Sequence, residues 1–323
     1  MSVRAERLPR LLFTGGGGAG SEALHRLLSE GYDVHFADAD PEARPPSVRA
    51  RDWHTIPLAS APDFLNNLTD LCCTLGVDLL VPGVDEELLA IAYARAAMGC
   101  DVLLPPVEFV ATHLDKLTSN AVLKGLGVSV PDTEALADRQ HLPFPCIVKP
   151  RRGRGSRDVA TVRSEEELRA HVTLCRRPSE DFLVQQLIPG QEYTVTMVAD
   201  RAGALRAVVP VKVGIKKGIT LRAETDRDAA VIAACEAIHR AHPVSGCFNI
   251  QVVKSDSGAV MPFEINPRIS TTTCLALAAG VDFVDLYLGG TAANQLTGGL
   301  AAFQDHLRLK RSWHNEFSPT VAG

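Results

Sequence analysis

For the first hundred positions the apolar residues fall into short continuous runs separated by helix-spaced stretches; later in the chain they alternate with polar ones. Leu11-Leu12-Phe13-Thr14 is an apolar run that ends in a glycine cluster, Ser21 to Glu30 is spaced as a helix, and Asp33 to Ala37 reads as a second strand. Further strand and helix signals lie at 62–81 and 83–104. Strands alternating with helices predict a doubly wound unit, a parallel sheet with helices on both faces.

Val107 to Leu126 reads as one or two helices, and Pro131 opens an extended stretch reaching Cys146-Ile147-Val148-Lys149-Pro150. A glycine- and arginine-rich loop, Arg151 to Asp158, follows, and then a helix from Ser164 to Cys175 in which Ser164 and Glu167 have capping-box spacing. Strands dominate from 183 onward, at 183–188, 192–199, 204–211 and the pair 247–254 and 259–265. A helix from Arg227 to Ala241 interrupts them, and another follows Ser270. The second half is therefore α+β and does not repeat the first. Thr291 to Gly323 carries only a short helix signal and a polar tail.

Composition narrows the class. At 323 residues the chain is about twice the commonest domain size, which predicts two or three units sharing a cleft. A hydrophobic fraction of 46% with 22% charged residues is that of a globular protein, and an aromatic share of 5% makes the core mainly aliphatic. With 33 Lys and Arg against 38 Asp and Glu, the net charge of -5 argues against a dedicated nucleic-acid binder, which needs phosphate neutralisation. The charge-free stretch from Ile269 to Val281 is well short of the roughly 20 residues of a membrane span. Arg4, Arg7 and Arg10 precede only a four-residue run, Leu11 to Thr14, too short for a signal-peptide core. A cytoplasmic protein without membrane partners is expected.

The eight cysteines show no CxxC or zinc-like spacing and read as reduced, small hydrophobes. His239 and His242 form an HxxH pair without further ligands nearby, so a surface or capping role is expected.

Gly15, Gly17 and Gly20 match G-x-G-x-x-G between a strand and a helix, and Asp38 closes the next strand. That is the dinucleotide fingerprint. It is also what any tight strand-to-helix packing turn requires, and the packing turn is the favoured reading. No Lys-Ser/Thr pair follows the glycines, so the cluster is not a Walker A loop.

The most informative stretch is Cys247 to Val253 followed by Met261-Pro-Phe-Glu-Ile-Asn-Pro-Arg268. On a strand, Glu264, Asn266 and Arg268 share one face while Phe263 and Ile265 take the other. If Ser257-Gly258 makes a two-residue hairpin turn, Gln251 stands opposite Glu264, with Cβ atoms roughly 5 Å apart. Gln251, Glu264 and Asn266 then converge as oxygen ligands for a hard cation such as magnesium. Arg268 adds a fork of donors suited to a phosphoryl group. Proline within the Asn-Pro-Arg run removes a ladder donor, which speaks against an ordinary solvated strand.

Lys149 ends an apolar strand, and the following Arg152-Gly-Arg-Gly-Ser156 loop offers backbone amides, a hydroxyl and positive charge. Such a loop suits a lid over a polyphosphate. Between the two halves, backbone groups of Gln186 and Leu187 are placed to meet a base edge and Glu192 to hold ribose hydroxyls, although locally the segment is only a hairpin.

Together, Lys116, Ile147-Val-Lys-Pro150, the 152–156 loop, Val184-Gln-Gln with Gly190-Gln-Glu192, and Asn249-Ile-Gln251 with Glu264-Ile-Asn-Pro-Arg268 resemble the ATP-grasp superfamily. Asn-Ile-Gln, Glu-Ile-Asn-Pro-Arg and the Ser/Thr run after Ile269 are similar to the synthetase unit of the carbamoyl-phosphate synthase large subunit. The resemblance implies an N-terminal α/β domain at 1–107, including Val81-Pro-Gly-Val-Asp-Glu86. A small lid subdomain at 108–183 and a larger subdomain at 184–323 would clasp ATP between them. It implies that Lys116, Lys149, Arg154, Gly155 and Ser156 contact phosphates. Gln185, Gln186 and Leu187 would meet adenine, Glu192 would bind ribose, and Gln251, Glu264 and Asn266 would hold Mg2+ or Mn2+. Arg268, Lys149 and Asn266 would serve the phosphoryl transfer. Gln185-Gln186 stands where members of that superfamily usually carry glutamate, and Gln251 is neutral where a carboxylate is common.

The implied reaction is activation of a carboxylate as an acyl phosphate, followed by attack of an amine or similar nucleophile. The chain holds one synthetase unit and no glutaminase, which points to a stand-alone ligase for an amino acid or other small acid, with a homodimer as the compatible assembly. The alternatives are a nicotinamide-dependent oxidoreductase using the N-terminal glycines and a non-catalytic nucleotide-binding module. For the substrates, the resemblance draws attention to Lys212, Lys216, Lys217 and Arg222 as partners of an anionic acid, and Asp85 and Glu86 are expected to face an amine.

Overall fold

The computed structural model describes residues 7–140, 142–290, 296–312 and 315. Of the stretch read as a short helix signal and polar tail, Thr291 to Gly323, residues 291–295, 313–314 and 316–323 lie outside the described residues.

The first unit is a parallel five-stranded sheet built from β1 (Arg10–Thr14), α1 (Ser21–Leu28), β2 (Asp33–Asp38), β3 (Trp53–Thr55), α2 (Phe64–Leu75), β4 (Leu79–Val81), α3 (Asp85–Ala94) and β5 (Asp101–Val102). Its strand order is β3-β2-β1-β4-β5. β1 is apolar on both faces because both are covered, as in any parallel sheet layered by helices. Leu12 packs with α2 and α3, while Leu11 and Phe13 pack with α1 and with helices from the far end of the chain.

α4 (Val107–His113) and α5 (Lys116–Gly125) lead into a four-stranded sheet of β6 (Thr133–Ala135), β7 (Cys146–Pro150), β8 (Ala160–Val162) and β9 (Phe182–Gln186), ordered β6-β9-β7-β8. Helix α6 (Glu165–Cys175) starts at Ser164, whose side chain accepts from the Glu167 N–H as the capping pattern predicts.

The larger sheet uses β10 (Gly190–Ala199), β11 (Leu205–Lys217), β12 (Ile219–Thr225), α7 (Ala229–Ala241), β13 (Gly246–Ser255) and β14 (Val260–Asn266). Two short helices, α8 (Thr273–Ala278) and α9 (Phe283–Leu288), come next, then β15 (Leu296–Thr297), β16 (Leu300–Ala301) and β17 (Arg308–Lys310). The sheet order is β14-β13-β10-β11-β12-β17. Cys247, Cys274, Phe283 and Val284 share a core with Leu11, Phe13 and Phe36, so α8 and α9 weld the large sheet to the N-terminal one. This union turns the carboxyl ends of β1, β2 and β4 toward the large sheet.

All eight cysteines are unbridged. His239 sits at the end of α7 with Nε2 against the Val244 carbonyl, a capping contact. Among the described residues no helix is long and apolar enough to cross a membrane.

Candidate active site

A single cavity of about 890 Å³ is walled by the turn after β1, the loop after β7, the end of β9, one face of the large sheet and the turn after β14. The face follows from strand parity. Thr194, Gln251 and Glu264 stand side by side on β10, β13 and β14, with Thr196, Asn249 and Asn266 in the next row. The alternate residues Tyr193, Val195, Ile250, Val252 and Ile265 are buried with α7 on the other side. The pairing of Gln251 with Glu264 is the one read from the sequence, but it arises from two offsetting shifts. The hairpin loop has three residues, Asp256-Ser257-Gly258, with Gly258 at φ +86° and Ser255 N–H bonded to Ala259 O. That loop displaces the register by one residue, and a bulge between Gln251 and Val252 restores it.

The cationic side is built from β7 and α5. Asp115 caps α5 by accepting from the Leu117 and Thr118 N–H groups, and it pairs with Arg151 at 2.8 Å. This fixes Lys116 at the first helical position, where Nζ donates to Gly153 O at 2.8 Å and lies 3.7 Å from Glu264 Oε1. Lys149 is buried; its Nζ donates to Gln185 Oε1 at 2.9 Å and to Phe263 O at 3.2 Å. Its direct partners are thus neutral oxygens, and burial pulls its pKa down to about 8 against the opposing charge of Glu264.

A phosphate ligand needs the ammonium form. Affinity for a non-hydrolysable ATP analogue is therefore expected to hold below pH 8 and to fall above it, approaching tenfold per pH unit, with proton uptake on binding. Calorimetry in buffers of different ionisation enthalpy measures both, and Lys149→Arg, which keeps its charge, should flatten the profile. An unchanged slope in that variant would rule Lys149 out as the titrating group.

Arg154, Gly155 and Ser156 line the cavity from the loop, as do Gln185, Gln186, Leu187 and Glu192 from the crossing between the two sheets. Gln185 is fixed at both ends, its Nε2 donating to Thr133 Oγ1 at 2.9 Å. The Gln186 N–H is engaged with Asp132 O at 2.8 Å. Asn249 has a positioning part: Nδ2 donates to Arg268 O at 2.6 Å, and Oδ1 accepts from Ser270 Oγ at 3.1 Å, which sets the turn carrying Arg268 into the cleft.

Several charged residues sit differently from the sequence expectation. Lys212 pairs with Tyr193 in the ladder and so belongs to the α7 face, while Lys217 and Arg222 are exposed; none of the three lines the cleft. Two irregularities between Val213 and Lys216 shift the alternation of β11, and Lys216 is the lysine that enters, bonding Glu192 and, at 3.3 Å, Gln251 Oε1. Asp85 and Glu86 lie outside the lining, engaged with Arg268 and, at 3.0 Å, with Arg154.

Glu87, which the sequence reading passed over, is fully buried beside the cavity. Its Oε1 accepts from the Gly83 and Val84 N–H groups at 3.0 Å and from the Thr14 hydroxyl, while burial pushes its pKa up to about 7. The signal that finds it is its place in the first turn of α3, where a carboxylate caps the helix.

At the N-terminal end, Gly17 N–H donates to Asp38 Oδ2 at 2.9 Å, and a Cβ on Gly17 would lie 2.5 Å from Ala43 Cβ. Close packing thus accounts for this glycine, and Asp38 is partly engaged by its own loop. Among the described residues no group of three or more His, Cys, Asp or Glu forms a metal centre. The oxygen set of Gln251, Glu264 and Asn266 nevertheless fits a hard cation that completes its shell with phosphate oxygens and water.

Residues 178–311 match the family model described as ATP-grasp in the biosynthetic pathway with Ter operon. A D-alanine--D-alanine ligase of Geobacter sulfurreducens is 27% identical over 292 residues, covering 83% of this chain and 85% of that protein. The carbamoyl phosphate synthase large chain of Pseudomonas syringae pv. tomato is 23% identical over 329 residues, 87% of this chain, which spans only 29% of the relative's length. Among solved structures, a carboxyaminoimidazole ribonucleotide synthase from Aspergillus clavatus complexed with ATP superposes with a TM-score of 0.71 at 14% identity, covering 91% of this chain and 80% of the other.

Proposed function

We propose that this chain, an ATP-grasp protein, is an ADP-forming ligase that joins a small carboxylic acid to an amine. What carries the reading is one juxtaposition: Gln251, Glu264 and Asn266 share a cavity with Lys116, Lys149 and Arg268. A carboxylate oxygen attacks the γ-phosphorus of ATP, the bond to the ADP oxygen breaks, and an acyl phosphate forms. The amine then attacks the acyl carbon, inorganic phosphate leaves, and the nitrogen loses a proton. Phosphoryl transfer of this kind needs positioning and charge neutralisation, not a nucleophilic side chain.

Lys116 and Lys149 bear the phosphate charge, the 152–156 loop covers the β and γ phosphates, Glu192 takes the ribose, and the segment at Gln185 to Leu187 takes adenine. Arg268 donates to the phosphoryl oxygens in flight. Gln251, Glu264 and Asn266 would hold Mg2+, which would supply neutralisation of phosphate charge. On this reading the first 107 residues form the N-terminal domain, 108–183 the small lid and 184–323 the large subdomain, a boundary that falls within β9. The oxidoreductase alternative is disfavoured because it gives no part to the Gln251, Glu264 and Asn266 face or to the buried Lys149.

The deciding assay measures ADP release from Mg-ATP with a panel of acids and with hydroxylamine as nucleophile. Release is expected only when a cognate acid is present. ATP binding without acid-dependent turnover against any acid would favour the non-catalytic module instead.

A further inference from the structure

The cavity extends past the proposed phosphate end toward the carboxyl ends of β1, β2 and β4, and its chemistry changes there. The lining there includes Ile56, Pro57, Leu58 and Phe64 on the N-terminal side, and the loop before β8 contributes Val159 to the same cavity. Ile56 and Phe64 are buried, but Leu58 is 65% exposed and Val159 42% exposed, so two large apolar side chains of the lining stand open to water. Exposed apolar side chains gathered at a concave site mark a binding surface.

Two carboxylates, Asp38 and Asp40, line the cavity beside these apolar residues. Asp38 ends β2, where its carboxylate accepts from the Gly17 N–H at 2.9 Å and from the Asp40 N–H at 3.0 Å. Two backbone donors hold the carboxylate rigidly, and its remaining lone pairs face the cavity it lines. The strand order places β1 and β4 as neighbours with crossovers leaving in opposite directions, the switch point at which doubly wound sheets take ligands. Arg268 lines the same cavity and is held by Asp85, the first residue of α3 after β4.

We propose that this section is the side-chain and amine subsite for the acid that is activated, and that this acid is an α-amino acid with an apolar side chain. Its ammonium pairs with Asp38, its side chain lies against Leu58, Ile56 and Val159, and its carboxylate points toward Arg268 and the phosphates. The inference rests on the ligase reading and adds the class of acid to it. Laid against Ile56, Leu58 and Val159, a charged side chain would lose its hydration.

The test uses the full-length chain and hydroxylamine, so that only the acid site is read. ADP release is measured with alanine, valine, leucine, phenylalanine, aspartate and lysine in both enantiomers, and with 4-methylpentanoate, which is leucine without its amino group. The kcat/KM for leucine or phenylalanine is expected to exceed that for alanine by at least tenfold, as extra methylenes in an apolar pocket do. Leu58→Asp and Val159→Asp, both at exposed positions that tolerate change, should each remove most of that preference while leaving the KM for ATP in place. The desamino acid should be at least tenfold poorer than leucine in the wild type, and Asp38→Asn should erase that difference.

Turnover with small or charged acids but no gain for apolar ones, or variants that leave the preference intact, would overturn this assignment and leave the ligase reading standing. Absence of ADP release with every acid would overturn both.

Discussion

Glu264→Gln is expected to lower acid-dependent ADP release by about a hundred- to a thousandfold, the range seen when one preorganised charge at a reacting centre is removed. Gln251 and Asn266, its companions on the same face, are neutral, so Glu264 brings the only negative charge to that oxygen set. The substitution is nearly isosteric and keeps an oxygen in place, which isolates charge from shape. Glu264 also faces Lys116 at 3.7 Å and opposes the burial penalty on Lys149, so the variant leaves two ammonium groups less compensated. Two readouts separate these effects. If Glu264 acts through a divalent cation, raising the Mg2+ or Mn2+ concentration restores part of the turnover; if it acts only by pairing lysines, the metal dependence stays as in the wild type. Turnover within a few-fold of wild type would remove Glu264 from the site altogether.

The second large effect is expected at the pair formed by Arg268 and Asp85, which are 12% and 13% exposed and separated by 183 residues in the chain. Arg268→Ala should depress kcat by about a hundredfold or more, because the transferring phosphoryl loses its guanidinium donors. Asp85 does not itself line the cavity and acts through Arg268, which does, so it is a positioning residue. Asp85→Asn removes the charge that holds Arg268 and leaves its bond to Ile269 O at 2.9 Å and a neutral acceptor, and about a tenfold fall in kcat with a near-constant KM for ATP is expected. Breaking a largely buried ion pair also costs stability, so thermal unfolding belongs beside the kinetics. A change in KM alone, or equal losses in activity and folded fraction, would place Asp85 in the scaffold and not in the orientation of Arg268.

Much of this was open to reading in the linear chain, because it depends on interactions within a few residues. Alternation on β13 and β14 put Gln251 and Glu264 together, although the agreement came from a three-residue loop and a bulge that offset one another. The run into Lys149 and the glycine loop after it were equally local, as was the capping box at Ser164.

Other features required the folded chain. Lys212, Lys216 and Lys217 are equivalent by composition, and the irregularities in β11 alone decide that Lys216 enters the cleft. Asp85 and Glu86 meet Arg268 and Arg154 across 183 and 68 residues, contacts that come from the packing of α8 and α9 against the N-terminal sheet. Strand and helix periods are imposed by backbone geometry and leave their mark in adjacent residues. The partner a charge meets is set by how sheets stack and where a ladder slips, and neither leaves a pattern in its neighbours.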